Sequence, residues 1–170
     1  MKRIARFEKV SYRQFEEAFL DTFGREKEAE CQAAYEQVQI PERATAGSAG
    51  YDFVTPVPIV LGPGEEMKVP TGIRAAMETG WVLQIYPRSG LGFRYRFQLN
   101  NTVGIVDSDY YDSDNEGHIF IKVINDTREG KTLRLDAGSG FAQGIFLEFG
   151  ITEEDQADQV RNGGFGSTGA

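Results

Sequence analysis

Trp81-Val82-Leu83-Gln84-Ile85-Tyr86-Pro87-Arg88-Ser89-Gly90-Leu91-Gly92 is the stretch whose grammar decides the fold. A short apolar run, rich in β-branched and aromatic residues, ends abruptly in Pro and Gly, which reads as a strand delivering a turn. The same grammar recurs on both sides, from about Pro41 to Gly150, with turn clusters at Gly62-Pro63-Gly64, Thr79-Gly80 and Glu129-Gly130. Strands are expected at 51–55, 59–61, 66–69, 73–76, 81–86, 103–106, 119–125, 133–135 and 141–150. Many short strands at such spacing predict an all-β fold, a jelly-roll-like distorted β-barrel.

Outside that region the periodicity changes. Tyr12, Phe15 and Phe19 share one helical face, with Ser11 and Gln14 spaced as a capping box and Gly24 as a stop. Arg25 to Val38 is rich in Glu, Ala and Gln and has no breaker before Pro41, which predicts a second helix. Residues 1–40 are therefore read as an N-terminal helical extension, 41–150 as the β domain and 151–170 as a C-terminal arm. The arm is acidic at first and then Gly-rich, ending Arg161-Asn162-Gly163-Gly164-Phe165-Gly166-Ser167-Thr168-Gly169-Ala170, a composition that predicts mobility.

With 170 residues, 40% hydrophobic and 26% charged, the chain has the make-up of one globular domain. A net charge of -8 argues against a general nucleic-acid surface, which depends on Lys and Arg neutralising phosphates. A small anionic substrate stays compatible if donors cluster locally. The single cysteine, Cys31, cannot form an intrachain disulfide and fits a reducing compartment. No signal peptide or membrane-length apolar run is visible, so the expected location is the cytoplasm.

Three segments carry candidate chemistry. In Pro87 to Gly92 a Ser between an Arg and a Gly can turn backbone N–H groups, a hydroxyl and a cation toward an anion, although taken alone it reads first as a Pro-Gly turn. In Asn101-Thr102-Val103-Gly104-Ile105-Val106-Asp107-Ser108-Asp109-Tyr110 an apolar strand delivers an Asp and, three residues on, an aromatic ring to a strand end; an acidic turn after a strand is also commonplace. In the terminal arm Phe165 could stack on a base and Arg161 close on phosphates, as a lid does; the alternative is a disordered tail.

Taken in order, Ala49 to Asp52, Pro87 to Gly92, Gly104 to Tyr110, Gly138-Ser139-Gly140-Phe141-Ala142-Gln143 and Arg161 to Gly169 resemble the five motifs of the trimeric dUTPase family, over about residues 41–170. The resemblance implies a homotrimer with shared active sites that hydrolyses dUTP to dUMP and pyrophosphate with Mg²⁺. It implies Asp107 as the general base acting on the water that attacks the α-phosphorus. Asp52 would hold Mg²⁺ through water, in keeping with the reluctance of that ion to lose its hydration shell. Arg88, Ser89, Gly90 and Gln143 would contact the phosphates. Asn101 and the strand backbone at Gly104 and Val106 would read uracil, Tyr110 would pack under the deoxyribose and exclude a 2′-hydroxyl, and Phe165 and Arg161 would close over base and γ-phosphate. Three features depart from the family pattern. The segment from Tyr111 to Gly117 is longer, Ser139 and Gly140 stand where an acid and a larger residue are common, and the spacing from Arg161 to Phe165 is one residue shorter.

Two other readings stand beside this one. A dCTP deaminase shares the fold, but the position of its catalytic Glu is Lys122, and a cation cannot act as that base. A binding protein on the same scaffold could use the Tyr12, Phe15 and Phe19 face to grip a partner, so an additional protein partner through residues 1–40 stays open, although packing of that face on the β domain is the plainer fate. His118 has no second His or Cys beside it and is read as a strand-edge residue, Cys31 as inert, and Trp81 as core or interface.

Overall fold

A computed structural model describes residues 1–159 of the chain. Arg161, Phe165 and the Gly-rich end lie outside the described residues. The chain opens with strand β1 (Ala5–Lys9) and continues through helices α1 (Tyr12–Phe23) and α2 (Glu28–Glu36), which are separated by a short 3₁₀ turn at Arg25–Lys27. Ser11 caps α1 as its sequence requires, accepting from the Gln14 N–H at 3.2 Å, and Gly24 ends it at φ 96°. The reciprocal half of the capping box is not made by Gln14. Glu116 takes that place, accepting from Ser11 N at 2.8 Å and from Ser11 Oγ at 2.6 Å.

The β region follows as β2 (Glu42–Arg43), β3 (Tyr51–Val54), β4 (Ile59–Leu61), β5 (Glu66–Pro70), β6 (Ile73–Met77) and β7 (Trp81–Pro87). Helix α3 (Ser89–Tyr95) leads to β8 (Phe97–Leu99), β9 (Gly104–Val106), β10 (Phe120–Asn125), β11 (Leu133–Leu135) and β12 (Gly140–Glu148). The largest sheet runs β2-β3-β12-β7-β9 and a second runs β5-β10-β8, with two-stranded pairs β1-β6 and β11-β4. Among the described residues the strand pairings are antiparallel and every sheet is open, so the jelly-roll-like enclosure comes from sheets packing face to face. Period-2 burial fixes the inner face: in β4 Ile59 and Leu61 are buried around exposed Val60, and in β10 Ile121, Val123 and Asn125 point inward.

The first forty residues are not a purely helical appendage. β1 pairs with β6 along its whole length, from Ala5 opposite Met77 to Lys9 opposite Ile73. Phe15, Phe19 and Cys31 belong to the same buried cluster as Phe53, Leu83, Ile121 and Phe141. Phe15 and Phe19 of the α1 face are therefore covered by the chain's own core, with Tyr12 partly buried beside them. Phe7 sits edge-on to Tyr51 and Phe53, with ring centroids 5.3 and 5.7 Å away. A strand of five residues with only two half-buried positions leaves little alternation to read, which is why β1 escapes the sequence pattern.

His118 belongs to the core. It is fully buried, not at a strand edge, and lies between the rings of Phe15 and Phe120. Its Nε2 accepts from the Gly72 N–H at 2.9 Å, so the proton of the neutral ring belongs on Nδ1, a buried atom without a protein partner among the described residues. Burial pushes its pKa down from 6.5 to about 4, against the opposing pull of Glu116. Cys31 is likewise buried, and burial pushes its thiol up, away from the thiolate a nucleophile needs. No helix among the described residues is long and apolar enough to cross a membrane.

Candidate active site

Two groups of candidate residues form around β7, one past its C-terminal end and one along its β9 edge. At its C-terminal end the ladder order β3-β12-β7 sets Asp52 opposite Gln143 and Gln143 opposite Tyr86. Arg88, one residue past the strand, brings Nε to 3.4 Å from Asp52 Oδ1, and its backbone N–H donates to Phe141 O at 3.4 Å. Gln143 Nε2 donates to Pro87 O at 3.2 Å. Two glycines make room for these side chains. A β-carbon on Gly140 would collide with Arg88 Nη1, and one on Gly50 would collide with Gln143 Oε1.

Pro87 to Gly92 is a turn only at its start. Arg88 is the extended N-cap of α3, and Leu91 and Gly92 both donate to Arg88 O, at 3.1 and 3.0 Å. The intrahelical bonds thus begin after Ser89 and Gly90, whose amides fall in the opening turn that a helix leaves for other acceptors. Ser89 and Gly90 are exposed, as is Arg88. Asp52, Arg88, Ser89, Gly90 and Gln143 together present one carboxylate, one guanidinium and several neutral donors, a set suited to a polyanion and its counter-ion.

The second group lies along β9. Asn101 is exposed in the connection from β8 to β9, where Thr102 takes φ 69° and donates to Leu99 O at 3.0 Å. Gly104 and Val106 are buried opposite Ile85 and Leu83 of β7, and a β-carbon on Gly104 would stand 3.1 Å from Ile85 Cβ. Asp107, half-buried, follows the strand and caps the 3₁₀ turn Ser108–Asp112, its carbonyl accepting from Tyr110 N at 3.2 Å. Tyr110 is buried, and its hydroxyl donates to His118 O at 2.7 Å. A cavity of about 470 Å³ opens beside this strand, lined by Lys68, Asn101, Gly104, Asn115, Phe120 and Lys122 among others. A second cavity of about 460 Å³, between Phe19, Phe23 and Pro56–Pro58, touches none of the candidate residues, so placement and not size picks out the first.

Asp107 and Arg88 are not brought together. In the β7–β9 register Val106 faces Leu83, which puts Asp107 level with Val82, whereas Arg88 lies beyond Pro87. Six strand residues separate those levels, roughly 20 Å at ~3.3 Å per residue. Asn115, Lys68 and Phe120 line the cavity without a role in the sequence reading; Lys68 and Phe120 meet there because β5 and β10 pair antiparallel, and Asn115 arrives on the connection into β10, which a single sequence does not reveal. Lys122, where a deaminase would need a carboxylate, forms an ion pair with Glu66 at 2.5 Å.

Among the described residues no group of three or more His, Cys, Asp or Glu could enclose a metal ion. A lone, partly exposed Asp52 already 3.4 Å from a guanidinium fits a hydrated divalent ion held chiefly by a polyphosphate, and does not fit a resident, fully protein-coordinated ion.

Comparison with known proteins places the chain in a family. A family model described as dUTPase matches residues 36–169. The deoxyuridine 5'-triphosphate nucleotidohydrolase of Lactococcus lactis subsp. lactis is 41% identical over 136 residues, spanning 78% of this chain and 89% of that protein. Its counterpart from Psychromonas ingrahamii is 37% identical over 138 residues, 76% of this chain and 87% of that one. The crystal structure of dUTPase from Streptococcus mutans superposes with a TM-score of 0.62 at 32% identity, covering 86% of this chain and 98% of that chain. A Staphylococcus bacteriophage 80alpha dUTPase with dUPNHPP superposes over 99% of this chain and 100% of that chain with a TM-score of 0.64; at 18% identity this similarity speaks for the fold alone.

Proposed function

Because this chain belongs to the dUTPase family, we propose that it is a dUTP diphosphatase that cuts dUTP to dUMP and pyrophosphate, removing dUTP from the nucleotide pool and supplying dUMP for dTTP synthesis. The observation that carries the reading is the division of its polar groups around β7: an anion-binding set of Asp52, Arg88, Ser89, Gly90 and Gln143 past its C-terminal end, and along its β9 edge a cavity lined by Asn101 and Gly104, with Asp107 following β9. The enzyme acts in the cytoplasm in this reading, with Arg161 and Phe165 of the terminal arm closing on the γ-phosphate and uracil.

Asp107 takes a proton from water as the oxygen attacks the α-phosphorus. The new P–O bond forms as the bond to the α,β-bridging oxygen breaks, and pyrophosphate leaves with that oxygen. Arg88 and the donors of Ser89, Gly90 and Gln143 hold the phosphate oxygens on which charge builds. Asp52 would hold Mg²⁺ through water, and the ion would supply further charge neutralisation on the phosphates. Asn101 and the β9 backbone at Gly104 and Val106 read the uracil edge, where a cytosine would leave a donor and an acceptor mismatched.

A separation of roughly 20 Å between Asp107 and Arg88 of the same chain is too long for both to reach one α-phosphate. The complete site therefore draws Asp107 and Asn101 from one copy and the Asp52–Arg88–Gln143 set from another, as a homotrimer with shared sites would arrange. Exposed apolar residues beside both groups support such contacts, with Phe93 on α3 94% exposed and Ile105 on β9 47% exposed. The test is pyrophosphate release from dUTP, dCTP, dTTP and UTP, with Mg²⁺ and with EDTA. Turnover of dUTP alone, abolished by EDTA, is expected; a folded protein inert toward dUTP would sink the proposal, and uracil nucleotide formed from dCTP would point to the deaminase.

A further inference from the structure

The segment from Tyr111 to Gly117, longer than the family pattern, is folded onto Tyr110. Asn115 Nδ2 donates to the Tyr110 hydroxyl at 2.8 Å while that hydroxyl donates to His118 O at 2.7 Å, so the phenol is held from two directions. Asn115 Oδ1 in turn accepts from Gly117 N at 3.2 Å. Glu116 and Gly117 both adopt left-handed backbone, at φ 58° and 68°, and a β-carbon on Gly117 would stand 2.7 Å from Tyr111 Cα and 2.8 Å from Tyr110 O. The turn thus closes on the Tyr110 backbone as well as on its hydroxyl.

What keeps this turn in place is the N-terminal segment. Glu116 is bound by Ser11 N and Oγ at the start of α1. Tyr111 donates its hydroxyl to Glu8 Oε2 on β1 at 2.7 Å, and its ring lies under the Arg74 guanidinium, 3.5 Å from the ring centroid. The residues flanking Asn115 are therefore tied to β1, β6 and α1, and Asn115 itself reaches the wall of the cavity that holds Asn101 and Gly104.

We propose that Asn115 is a positioning residue, anchored through Glu116 and Tyr111 to residues 1–23, that fixes the Tyr110 ring against the sugar and so sharpens selection of deoxyribose over ribose. The inference rests on the dUTPase reading, in which Tyr110 packs under the sugar. A 2′-hydroxyl is excluded only as well as the ring is held, and a displacement of about 1 Å at such a wall is enough to admit it. Through this linkage the N-terminal strand and helix become part of the specificity apparatus.

The experiment compares kcat/KM for dUTP and UTP in wild type, Asn115→Asp, Tyr110→Phe and the double variant. Asn115→Asp keeps the acceptor for Gly117 and the shape of the side chain but loses the donor to Tyr110. UTP turnover relative to dUTP is expected to rise about fivefold in each single variant, the scale of one net hydrogen bond, with little further rise in the double variant. An unchanged ratio in either single variant, or fully additive effects, overturns the proposal; if Asn115→Asp does not fold, Tyr110→Phe decides it alone. Wild-type turnover of dUTP tests the dUTPase reading separately. If that turnover is absent, the same ratio measured as affinity for the α,β-imido analogues of dUTP and UTP still tests the positioning role.

Discussion

Arg88 Nη1 occupies the space a β-carbon would take on Gly140. Gly140, one of the positions that depart from the dUTPase motif pattern, is thus a contact surface for the Arg88 guanidinium, which binds phosphate in the proposed reading. Gly140→Ala is expected to displace Arg88 from Asp52 while costing less than about 1 kcal/mol of stability, because the obstructed atom is the end of a flexible, exposed side chain. KM for dUTP should rise about tenfold, as for loss of one charge-assisted hydrogen bond, with the urea midpoint nearly unchanged. A large loss of stability with an unchanged KM would show that Gly140 serves the β12 ladder and not Arg88.

Asp107→Asn separates chemistry from binding. The substitution retains the shape of a half-buried residue whose backbone carbonyl, not its side chain, bonds to Tyr110 N. As general base, Asp107 should account for about 10²- to 10⁴-fold in kcat. Stopped-flow turnover and titration with the α,β-imido analogue of dUTP give the check: kcat falls by that factor and analogue affinity changes by less than about threefold if the proton-accepting role is right. Equal losses in both would place Asp107 in substrate binding.

The sequence was informative where chemistry is local and uninformative where it is shared across the chain. Ser11 and Gly24 marked both ends of α1, and alternation marked β4 and β10, because caps and pleats are decided by residues a few positions apart. β1 carries only two half-buried positions, and β8, although Phe97 and Leu99 alternate with Gln98, is only three residues long; their pairing partners are β6 and β10, far along the chain. Pro87 to Gly92 was read as a turn, and its Gly pair argues for one, yet Leu91 to Tyr95 continue it as a helix. At the site, motif order located Asp52, Arg88 and Gln143, which meet through the ladder β3-β12-β7. The role of Asn115 was hidden because it depends on Ser11 and Glu8, more than a hundred positions away in the chain.

The Ser11–Glu116 contact can be measured as a coupling. Ser11 loses two partners on replacement by Ala, its own helix amide at Gln14 and the Glu116 carboxylate. Burial acts to raise the Glu116 pKa, but the bonds from the Ser11 side chain and backbone more than offset it and hold the carboxyl below its ordinary range. Ser11→Ala should destabilise by about 1–2 kcal/mol, the scale of a lost N-cap with an attached ion. A double-mutant cycle with Glu116→Gln by urea unfolding should show coupling of about 1 kcal/mol; additivity would mean the two residues act independently.

His118 sets the acid limit of stability. Its pKa is about 4 in the folded chain against an ordinary 6.5, so between those values the unfolded state binds a proton that the folded state refuses. Stability is therefore full above about pH 6.5 and is lost as pH falls toward 4, by on the order of 3 kcal/mol if burial alone governs the shift. Glu8, Glu66, Glu116 and Glu129 have carboxyls held below 4.5, so their contributions are lost only at lower pH and do not explain a slope between pH 6.5 and 5. Urea unfolding at pH 7, 6 and 5 is expected to show that slope in wild type and its absence in His118→Phe. The variant should also be less stable at pH 7 by about 1–3 kcal/mol, because the Gly72 N–H loses its buried acceptor. A slope that persists in His118→Phe would assign the acid sensitivity to another group and leave His118 a packing residue.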